Sequence, residues 1–592
     1  MNQDLDRLQA DLVSALAAQI APGQGLYDPH SRQTSPSDHY GQTAAALALA
    51  AHDAALWPAA RDALSAWCAI DGANIGHLPF NRLLLRLLGQ VATDVGIPAC
   101  EVTPIKAAAA RCTLRQHYPS NNWTLLAQTC RLVEATEHYR TDESVRFVSM
   151  IDRWTTSAGA FIDFPGRPGK HFSTPIAYHH KALFLAALAA WFHDDPALAN
   201  RARRMLDWLV HCWDSAGYAG GYGRSNHALF GDSCLLGALI LLGFDTDDTG
   251  SPISALARRL DQQRRPDGLL WLTPSGPETG DASWDAYMHL SVYNAWAAAV
   301  IAAARHLRRS ASRPHQAPSL PWRGSDHGCF HDAEAGLLYL RSAAGLNAMV
   351  ITRGQPPQSF SSEEVDFRYA GGLIAHLSTN GIPLVAPPVR CGRAQLLAEP
   401  ALAGWTPVLQ QQDELFALTD FDRVTMHQGE TSMSVELCGH PVALTRRRPR
   451  SLLQRIIGAI DWRLLRGRIG RRASLTRPRL RSVTATLRIE LCASLATFSV
   501  ELEIRHRTAG ALRYLNPNGH SLAPSSTDAG AWITAASRSS LPNCHSRCLT
   551  PTELSQGKLD CKIKVALDNL VVMPEQCASA TIAGGSSCDL TR

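Results

Sequence analysis

Four short polar motifs carry the residue types that acid–base chemistry requires. Each stands at or just before the start of an Ala- and Leu-rich segment with helical periodicity. The motifs are Pro119-Ser120-Asn121-Asn122-Trp123, Ile176-Ala177-Tyr178-His179-His180, Gly221-Tyr222-Gly223-Arg224-Ser225-Asn226-His227 and Gly280-Asp281-Ala282-Ser283-Trp284-Asp285. Their Asn, His, Tyr, Arg and Trp side chains can hydrogen-bond a polar substrate, exchange protons with it and stack on it.

The combination of Asn, His, Tyr and Arg suits β-elimination across the 4-linked glycosidic bond of a uronic acid. The proton on C5 of that sugar is weakly acidic while the neighbouring carboxylate keeps its full charge. An amide such as that of Asn122 can hydrogen-bond the carboxylate and stabilise the charge that develops. A neutral His or an ionised Tyr then removes the proton, a Tyr or a His protonates the leaving oxygen, and an Arg holds the acidic sugar.

Motifs for other chemistries do not occur in the sequence. There is no P-loop, no Gly-x-Ser-x-Gly elbow and no His-Glu-x-x-His helix. Since β-elimination on a uronate needs no metal when an amide neutralises the carboxylate, we expect neither a metal nor a cofactor.

The helices that position the motifs start at a regular spacing. Periodicity predicts helix starts near residues 122, 142, 178, 198, 225, 252 and 283, and every second start follows the last by roughly 45–60 residues. Such spacing is typical of stacked helical hairpins, either in an open solenoid or in an α/α toroid. The four motifs fall on alternate helices, which share one direction, so their N-termini should meet at one mouth. Backbone N–H groups and helix dipoles there favour a bound anion.

The sequence changes character near residue 310. We predict an α+β multidomain chain, with an incomplete α/α toroid of helical hairpins as the catalytic domain over residues 1–310. A linker follows over 311–322, and antiparallel β-sandwich sheets form a domain over 323–592. The β half contains an Arg-rich insertion over 445–482, which has thirteen Arg, no Lys and one acidic residue, Asp461. It is interpreted as a solvated insertion between strands or as a segment that attracts an anionic polymer or a membrane surface.

Most of the motif residues also have a purely structural interpretation. The residues that suit helix N-caps are Ser120, Asn121, Ser225, Asp281 and Ser283. Trp123 and Tyr178 suit core aromatics equally well. His179 and His180 are adjacent and point in different directions from a helix, so at least one of them should leave the apolar face.

Two arginines of the β half are further candidates. Arg353 and Arg368 flank a predicted loop, and a β domain packed over the toroid mouth would bring either of them to the sugar. A surface loop with paired charges explains both residues equally well.

Beyond these residue types, the chain resembles the polysaccharide lyases that combine a toroid with β-sheets. This group includes the chondroitin AC-type, alginate and heparinase II/III-like lyases. The matching features are Asn122-Trp123 at a helix start, the Tyr178-His179-His180 helix, the Gly221-Tyr222-Gly223-Arg224 segment and the all-β C-terminal half. The resemblance implies a toroid followed by antiparallel sheets, with the elimination carried by Asn, His, Tyr and Arg.

The same resemblance implies a role for individual residues. Asn122 would neutralise the carboxylate, His179 or His180 would be the base, Tyr222 the proton donor and Arg224 a clamp on the substrate. The other residues expected to bind substrate are Trp123, Tyr178, Asn226, His227, Trp284, Arg353 and Arg368.

Two further function classes fit the sequence. A glycoside hydrolase or an unsaturated-glucuronyl hydrolase on the same scaffold would need two carboxylates, or one acidic residue that activates water, near the mouth. The available carboxylates are those of Asp163, Asp232, Asp281 and Asp285. A non-catalytic glycan-binding protein would instead depend on aromatic platforms such as Trp271 and Trp284.

Composition excludes some partners and leaves others open. The 592 residues are 45% hydrophobic and 18% charged, which excludes a mainly disordered chain. The net charge of +5 does not indicate a nucleic-acid partner but suits an anionic polysaccharide or oligosaccharide. The N-terminus has no signal-peptide pattern, so we expect a cytoplasmic location or export by an unrecognised route. No apolar run is long enough to span a membrane, and the sequence does not define an oligomeric state.

Overall fold

The structure is a computed structural model of the chain. It describes residues 2–163, 174–193, 195–213, 223, 229–245, 251–273, 285, 287–310, 328–342, 345–354, 364–372, 374–379, 382–383, 388–419, 421–429, 432–444, 452–464, 478–492, 498–506, 512–516, 544–546 and 561–567.

The described part of the N-terminal half consists of helices and one small sheet. The helices are α1 (Gln3–Ala18), α2 (Gly41–His52), α3 (Trp57–Cys68), α4 (Leu78–Asp94), α5 (Ala99–Arg111), α6 (Asn121–Glu134), α7 (Glu137–Trp154), α8 (Ile176–His193), α9 (Pro196–Val210), α10 (Leu229–Leu241), α11 (Pro252–Asp261) and α12 (Leu290–Ser310). The small sheet comprises β1 (Ile20–Ala21), β2 (Gly25–Asp28) and β3 (Gln33–Thr34). The predicted starts near 122, 178, 198 and 252 agree with the observed ones to within a few residues.

Even-numbered helices form an inner ring. Helix α2 packs on α4, α4 on α6, α6 on α8, α8 on α10, α10 on α12, and α12 packs back on α2. Odd-numbered helices form an outer layer: α3, α5, α7, α9 and α11 each pack on the preceding inner helix, and α1 packs on α11 and α12. The prediction of an α/α toroid is therefore confirmed, and its ring is closed through α12 and α2.

The two layers differ in sequence because they differ in burial. Every residue of α10 is buried, and so is every residue of α2 from Gly41 to Ala51. Both helices are apolar on almost all sides, and the Ala residues of α2 and the Gly residues of α10 let neighbouring backbones approach closely. The outer helix α7, in contrast, buries only Ser144, Phe147 and Ile151 and exposes a polar face.

The described part of the C-terminal half consists of antiparallel strands and two helices. The strands are β4 (Gly328–Asp332), β5 (Leu337–Arg341), β6 (Leu346–Ile351), β7 (Glu364–Asp366), β8 (Ile374–Thr379), β9 (Ile382–Pro383), β10 (Arg390–Gly392), β11 (Val408–Gln411), β12 (Glu414–Ala417), β13 (Arg423–Gln428), β14 (Ser432–Gly439), β15 (Val442–Ala443), β16 (Val483–Cys492), β17 (Phe498–His506), β18 (Leu512–Tyr514), β19 (Cys544–Ser546) and β20 (Cys561–Leu567). The helices are α13 (Arg393–Ala398) and α14 (Leu452–Leu464).

These strands form four antiparallel sheets. The strand orders are β4-β5-β6-β8-β9, β13-β14-β16-β17-β20-β19, β15-β12-β11-β18 and β10-β7. In the six-stranded sheet, Leu487 of β16 lies opposite Leu437 of β14 and Leu502 of β17. The predicted succession of a toroid and antiparallel sheets is thus confirmed, and α14 lies within the predicted Arg-rich insertion. The domain limits at 310, 311–322 and 323 remain predictions, because residues 311–327 lie outside the described part.

The five-stranded sheet joins the two halves because both of its faces are buried. Side chains alternate along a strand, so Leu337 and Tyr339 of β5 belong to the core of the toroid. Leu338 and Leu340 belong instead to a core shared with the six-stranded sheet. Among the described residues, no helix is both long enough and apolar enough to cross a membrane.

The closeness of the inner helices can be tested at Gly237 in α10. A Cβ atom at this position would lie 2.5 Å from Cγ1 of Val300 and 3.1 Å from the ring of Phe184. We expect Gly237→Ala to lower the free energy of unfolding by about 1–3 kcal/mol, because overpacking forces the neighbouring helices apart. The measurement is the midpoint of denaturant unfolding.

Gly89→Ala in α4 is the matched control, since its Cβ would meet only Ile105, at 3.8 Å. This substitution should be neutral or should stabilise the chain by up to about 1 kcal/mol through helix propensity. Equal unfolding midpoints for the two variants would contradict the packing of the inner ring.

Candidate active site

Aromatic side chains at or near the starts of the inner helices form a floor where these helices begin. The Phe80 ring of α4 lies 4.5 Å, centroid to centroid, from Tyr40 at the start of α2 and stacks on it with an interplanar angle of 7°. It also lies 5.4 Å from Trp123 of α6 and 5.4 Å from Trp296 of α12. Phe230 of α10 lies 5.4 Å from Trp296. The inner helices therefore begin around one mouth, as their alternation predicts.

Asn122 lies under this floor and is held by a buried polar network. Its amide nitrogen donates hydrogen bonds to Oδ1 of Asp163, at 2.6 Å, and to Oγ of Ser120, at 3.1 Å. Its backbone N–H donates to the same Asp163 oxygen, at 2.9 Å. Both amide hydrogens of Asn122 are therefore used within the protein, and in this arrangement neither is left to bind the carboxylate of a substrate.

Lys181 completes the network from α8. Its ammonium donates a hydrogen bond to Oδ1 of Asn122, at 2.8 Å, and lies 4.2 Å from the centroid of the Phe80 ring. Burial lowers the pKa of Lys181 to about 7, while Cys234 and Asp163 oppose the shift. The pKa of Asp163 is raised by burial, and the hydrogen bonds from Asn122 oppose that shift. The site therefore contains a buried cation that the sequence motifs did not indicate.

His179 is part of the packing between α8 and α9. Its Nδ1 accepts a hydrogen bond from the backbone N–H of Phe161, at 3.0 Å. Its Nε2 therefore carries the proton and donates it to the carbonyl oxygen of Met205, at 3.0 Å. Burial lowers the pKa of His179 to about 3. Because both ring nitrogens bind backbone groups, His179 is not placed to act as a base, which goes against one of the two alternatives from the sequence.

His180 is also buried, and it faces helices α10 and α11. Its Nδ1 lies 3.7 Å from Oδ1 of Asp232, which is beyond a hydrogen bond, and Asp232 is ion-paired with Arg259. Burial and the charge of Arg259 lower the pKa of His180 to about 3. Only 2% of the residue is exposed, so a substrate at the mouth does not reach it in this arrangement.

Tyr178 and Trp123 lie closer to solvent than the two histidines. Both are half-buried. The Trp123 ring lies 5.1 Å from the ring of His77 and 5.8 Å from that of Tyr118. Tyr178 is close enough to Tyr293 of α12 to contribute to the raised pKa of that phenol, which is mainly due to burial. Both residues keep exposed surface, and their contact with a substrate stays a prediction.

The β half reaches the mouth through Arg368. Its guanidinium donates hydrogen bonds to both oxygens of Asp366, each at 2.9 Å, and to Oδ1 of Asp285 of the toroid half, at 3.1 Å. Arg368 is 1% exposed, so it links the two halves and is not open to a sugar. Arg353 follows β6 elsewhere on the five-stranded sheet, where its charge helps to lower the pKa of His331, a shift that is mainly due to burial.

Several predicted residues lie outside the described part of the chain. They are Tyr222, Arg224, Asn226, His227, Asp281 and Trp284. Gly223, between two of them, is described: its φ of +75° suits glycine, and a Cβ there would lie 3.0 Å from Pro175 and from the Tyr369 ring. Gly223 therefore lies between Pro175, just before α8, and Tyr369 of the β half.

Sequence reasoning missed a histidine cluster on the rim of the mouth. His39 stacks on His77 with ring centroids 4.3 Å apart, and His289 packs edge-on against His39 at 4.7 Å. Nδ1 of His39 bonds Oδ1 of Asp38 at 2.8 Å. Although partial burial opposes it, this hydrogen bond holds the pKa of Asp38 below its usual range. Each of the three histidines lies just before the start of an inner helix, α2, α4 or α12, and this position is the sequence signal that could have revealed them.

His77 has the geometry of a neutral proton acceptor. Its Nδ1 lies 2.6 Å from the carbonyl oxygen of Asp38, so Nδ1 carries the proton and Nε2 keeps its lone pair. Burial lowers the pKa of His77 to about 4, with smaller contributions from His39 and Lys181 in the same direction. The residue is half-buried and has a left-handed backbone with φ of +46°. Such strain in a non-glycine residue is often associated with functional sites.

A separate cavity lies between the toroid and the five-stranded sheet. It has a volume of about 400 Å³, and its lining includes His211, Phe330, Arg341 and His376. The ring of His211 stacks on Phe330 with centroids 3.8 Å apart. The guanidinium of Arg341 bonds Oδ1 of Asn347 at 3.1 Å and the carbonyl oxygen of Trp213. None of the predicted site residues lines this cavity.

Comparisons with known proteins concern only the arrangement of the chain. No protein-family model matches the sequence, and no curated protein matches it. One solved structure similar to it is an unsaturated glucuronyl hydrolase specific for heparin. The two sequences are 11% identical, the match covers 52% of this chain and 99% of that chain, and the TM-score is 0.38. An α-1,6-mannanase of Salegentibacter sp. HEL1_6 has 9% identity, 51% and 99% coverage and a TM-score of 0.36. A polysaccharide lyase has 11% identity, 52% and 99% coverage and a TM-score of 0.35.

The titration of Lys181 gives a test of the buried network. A lysine whose folded pKa is about 7, below its unfolded value, destabilises the fold most at pH values under 7, and this cost falls as the pH rises. We expect the unfolding free energy of Lys181→Met, measured relative to that of the wild type, to be highest near pH 6. The difference in unfolding free energy should change by about 2–3 kcal/mol between pH 6 and pH 9.

The control is Lys106→Met on α5, where the side chain is exposed. Its effect on the unfolding free energy should not vary over the same pH range. Parallel pH profiles for wild type and Lys181→Met would mean that Lys181 is not buried as a cation.

Proposed function

We propose that the chain is a carbohydrate-active enzyme whose active site is the toroid mouth, and that it cleaves a uronate-containing glycan by β-elimination. The observation that carries the proposal is the neutral imidazole of His77, whose Nε2 keeps its lone pair beside Trp123. Removal of a proton from a sugar carbon needs such a base, whereas hydrolysis needs a pair of carboxylates or one acidic residue that activates water.

The surroundings of His77 support this role. The hydrogen bond to the Asp38 carbonyl fixes the tautomer, and stacking on His39 fixes the plane of the ring. Trp123 offers a platform on which a sugar can stack. The N-termini of the inner helices contribute backbone N–H groups and positive dipole ends, which favour the carboxylate of a uronate at the mouth.

The other roles are assigned by position. Asn122 and Lys181 are positioning residues, since they support the aromatic floor to which Trp123 and Phe80 belong. A tyrosine would protonate the leaving oxygen, either Tyr178 at the start of α8 or Tyr222 as the family resemblance implies. Arg224, Asn226, His227 and Trp284 are retained as substrate-binding candidates.

One observation favours a hydrolase as the second candidate. Asp163 lies next to Asn122, and burial raises its pKa, as expected of a carboxyl group that donates a proton. Asp163 is only 1% exposed, however, so this function would require an opening of the site that the structure does not show. A second carboxylate would be needed across the mouth. Asp285 and Asp232 are each bound to an arginine, which makes them poorer candidates.

The product of the reaction distinguishes the two functions. The full-length protein is incubated with a panel of acidic polysaccharides that contain different uronates. A lyase produces an unsaturated uronate with new ultraviolet absorbance at each cleaved bond. Reducing ends without that absorbance would establish a hydrolase, and binding without either product would establish a non-catalytic glycan-binding protein.

The role of His77 is tested by substitution. We expect His77→Gln to lower kcat/KM by about 10²–10⁴, the usual contribution of a general base. Activity of the wild type should also fall as the pH drops through the His77 pKa of about 4, because protonation removes the lone pair. The assay is the rate of ultraviolet absorbance increase.

His117→Gln is the matched control, because His117 is exposed on the segment between α5 and α6. It should retain full activity. Equal rates for His77→Gln and the wild type, with both proteins folded, would exclude His77 as the base.

A further inference from the structure

Helix α14 turns its apolar side chains toward solvent. The helix is inserted between β15 and β16 of the β half. Its exposed large aliphatic residues are Leu452 at 76%, Leu453 at 67%, Ile456 at 48%, Ile457 at 46% and Ile460 at 48%. These five belong to the small set of large hydrophobic residues that are exposed anywhere in the described part of the chain.

The exposed residues share one face of the helix. Leu453, Ile456, Ile457 and Ile460 follow the spacing i, i+3, i+4 and i+7, which places them in a single stripe. Asp461, the only acidic residue of the helix, is 4% exposed and points toward the protein. The aliphatic stripe is therefore open to water, unlike the apolar face of a surface helix in a globular domain, and Arg455 on the other side of the helix is exposed as well.

The sequence that contains α14 is rich in Arg, a composition that favours anionic partners. Residues 445–482 contain thirteen Arg, no Lys and one acidic residue. Arg455 lies within the helix and is exposed. An amphipathic helix with basic residues around an aliphatic face lies in the interface of a membrane, where the aliphatic face enters the acyl boundary and the basic residues meet anionic headgroups.

Other occupants fit the same observations less well. A second copy of the chain would bring two Arg-rich segments together, and like charges would repel. A soluble anionic polysaccharide would contact the arginines but would leave the aliphatic stripe in water. An anionic lipid surface satisfies both the stripe and the charge.

We propose that α14 docks the protein onto the surface of a membrane that contains anionic lipids. The contact is peripheral, since a helix of 13 residues is too short to span a bilayer. The proposal does not depend on the reaction at the toroid mouth, which belongs to the other half of the chain. It adds a lipid surface as a second partner, beside the glycan substrate proposed for the toroid mouth.

The test is co-sedimentation of the full-length protein with vesicles. We expect binding to vesicles of phosphatidylcholine mixed with phosphatidylglycerol, weaker binding to phosphatidylcholine alone, and loss of binding at high salt. The variant Leu453→Ser/Ile456→Ser/Ile457→Ser should weaken binding to the anionic vesicles by about a hundredfold, because three aliphatic side chains no longer enter the interface. Its circular dichroism should be unchanged, since these side chains are exposed.

The matched control replaces three exposed apolar residues elsewhere, as Val145→Ser/Leu397→Ser/Met426→Ser. It should bind the anionic vesicles like the wild type. The proposal is overturned by absence of wild-type binding or by equal binding of the α14 variant and the control. It is also overturned if sedimentation velocity shows a dimer that the α14 variant dissociates, or if only soluble anionic polysaccharide is bound.

Discussion

Closure of the inner ring requires its six helices to begin at the same end, and the position of the candidate site depends on this constraint. Each hairpin sends the chain along an inner helix and back along an outer one, so the start of every inner helix returns to one opening. Residues as distant in sequence as Tyr40 and Trp296 come within 5.5 Å there. Unpaired backbone N–H groups accumulate at the same place. Polar side chains and an anionic ligand are therefore favoured at this end of the toroid.

Burial separates the groups that hold the site from those that can meet a substrate. A charge removed from water needs a partner. Arg368 is ion-paired with Asp366 and Asp285, and Lys181 donates a hydrogen bond to the neutral amide oxygen of Asn122. These groups fix geometry because their hydrogen-bonding capacity is committed. The half-buried residues His77, Trp123 and Tyr178 keep a surface toward the mouth. The half-buried group is therefore the one that we propose for catalysis.

The toroid could be predicted from the sequence because long, periodic apolar segments define helices and their spacing defines hairpins. The direction of a side chain could not be predicted in α8, since this helix is apolar on almost all sides and has no polar face to orient it. No local pattern therefore distinguishes the directions of three consecutive residues, His179, His180 and Lys181. The structure turns His179 toward α9, His180 toward α10 and Lys181 toward Phe80.

His77 could not be found in the same way. It precedes a helix without a capping side chain, and its left-handed backbone is a property of the packed loop. Its tautomer, with the lone pair on Nε2, is fixed by the carbonyl of Asp38, which lies 39 residues earlier in the chain. A contact of this kind depends on how α2 and α4 pack, and no local pattern records it.

The β half takes part in the site because its first sheet is packed on both faces. Leu337, Tyr339 and Met349 belong to the core of the toroid, so the sheet cannot separate without exposing them to water. This packing holds Tyr369 against Gly223 and Arg368 against Asp285. An exposed ion pair contributes little to such an interface, but here both partners are buried and the apolar surface fixes their distance. Hydrophobic packing thus positions the β half at the rim of the mouth, and the ion pair between Arg368 and Asp285 fixes the contact between the two halves.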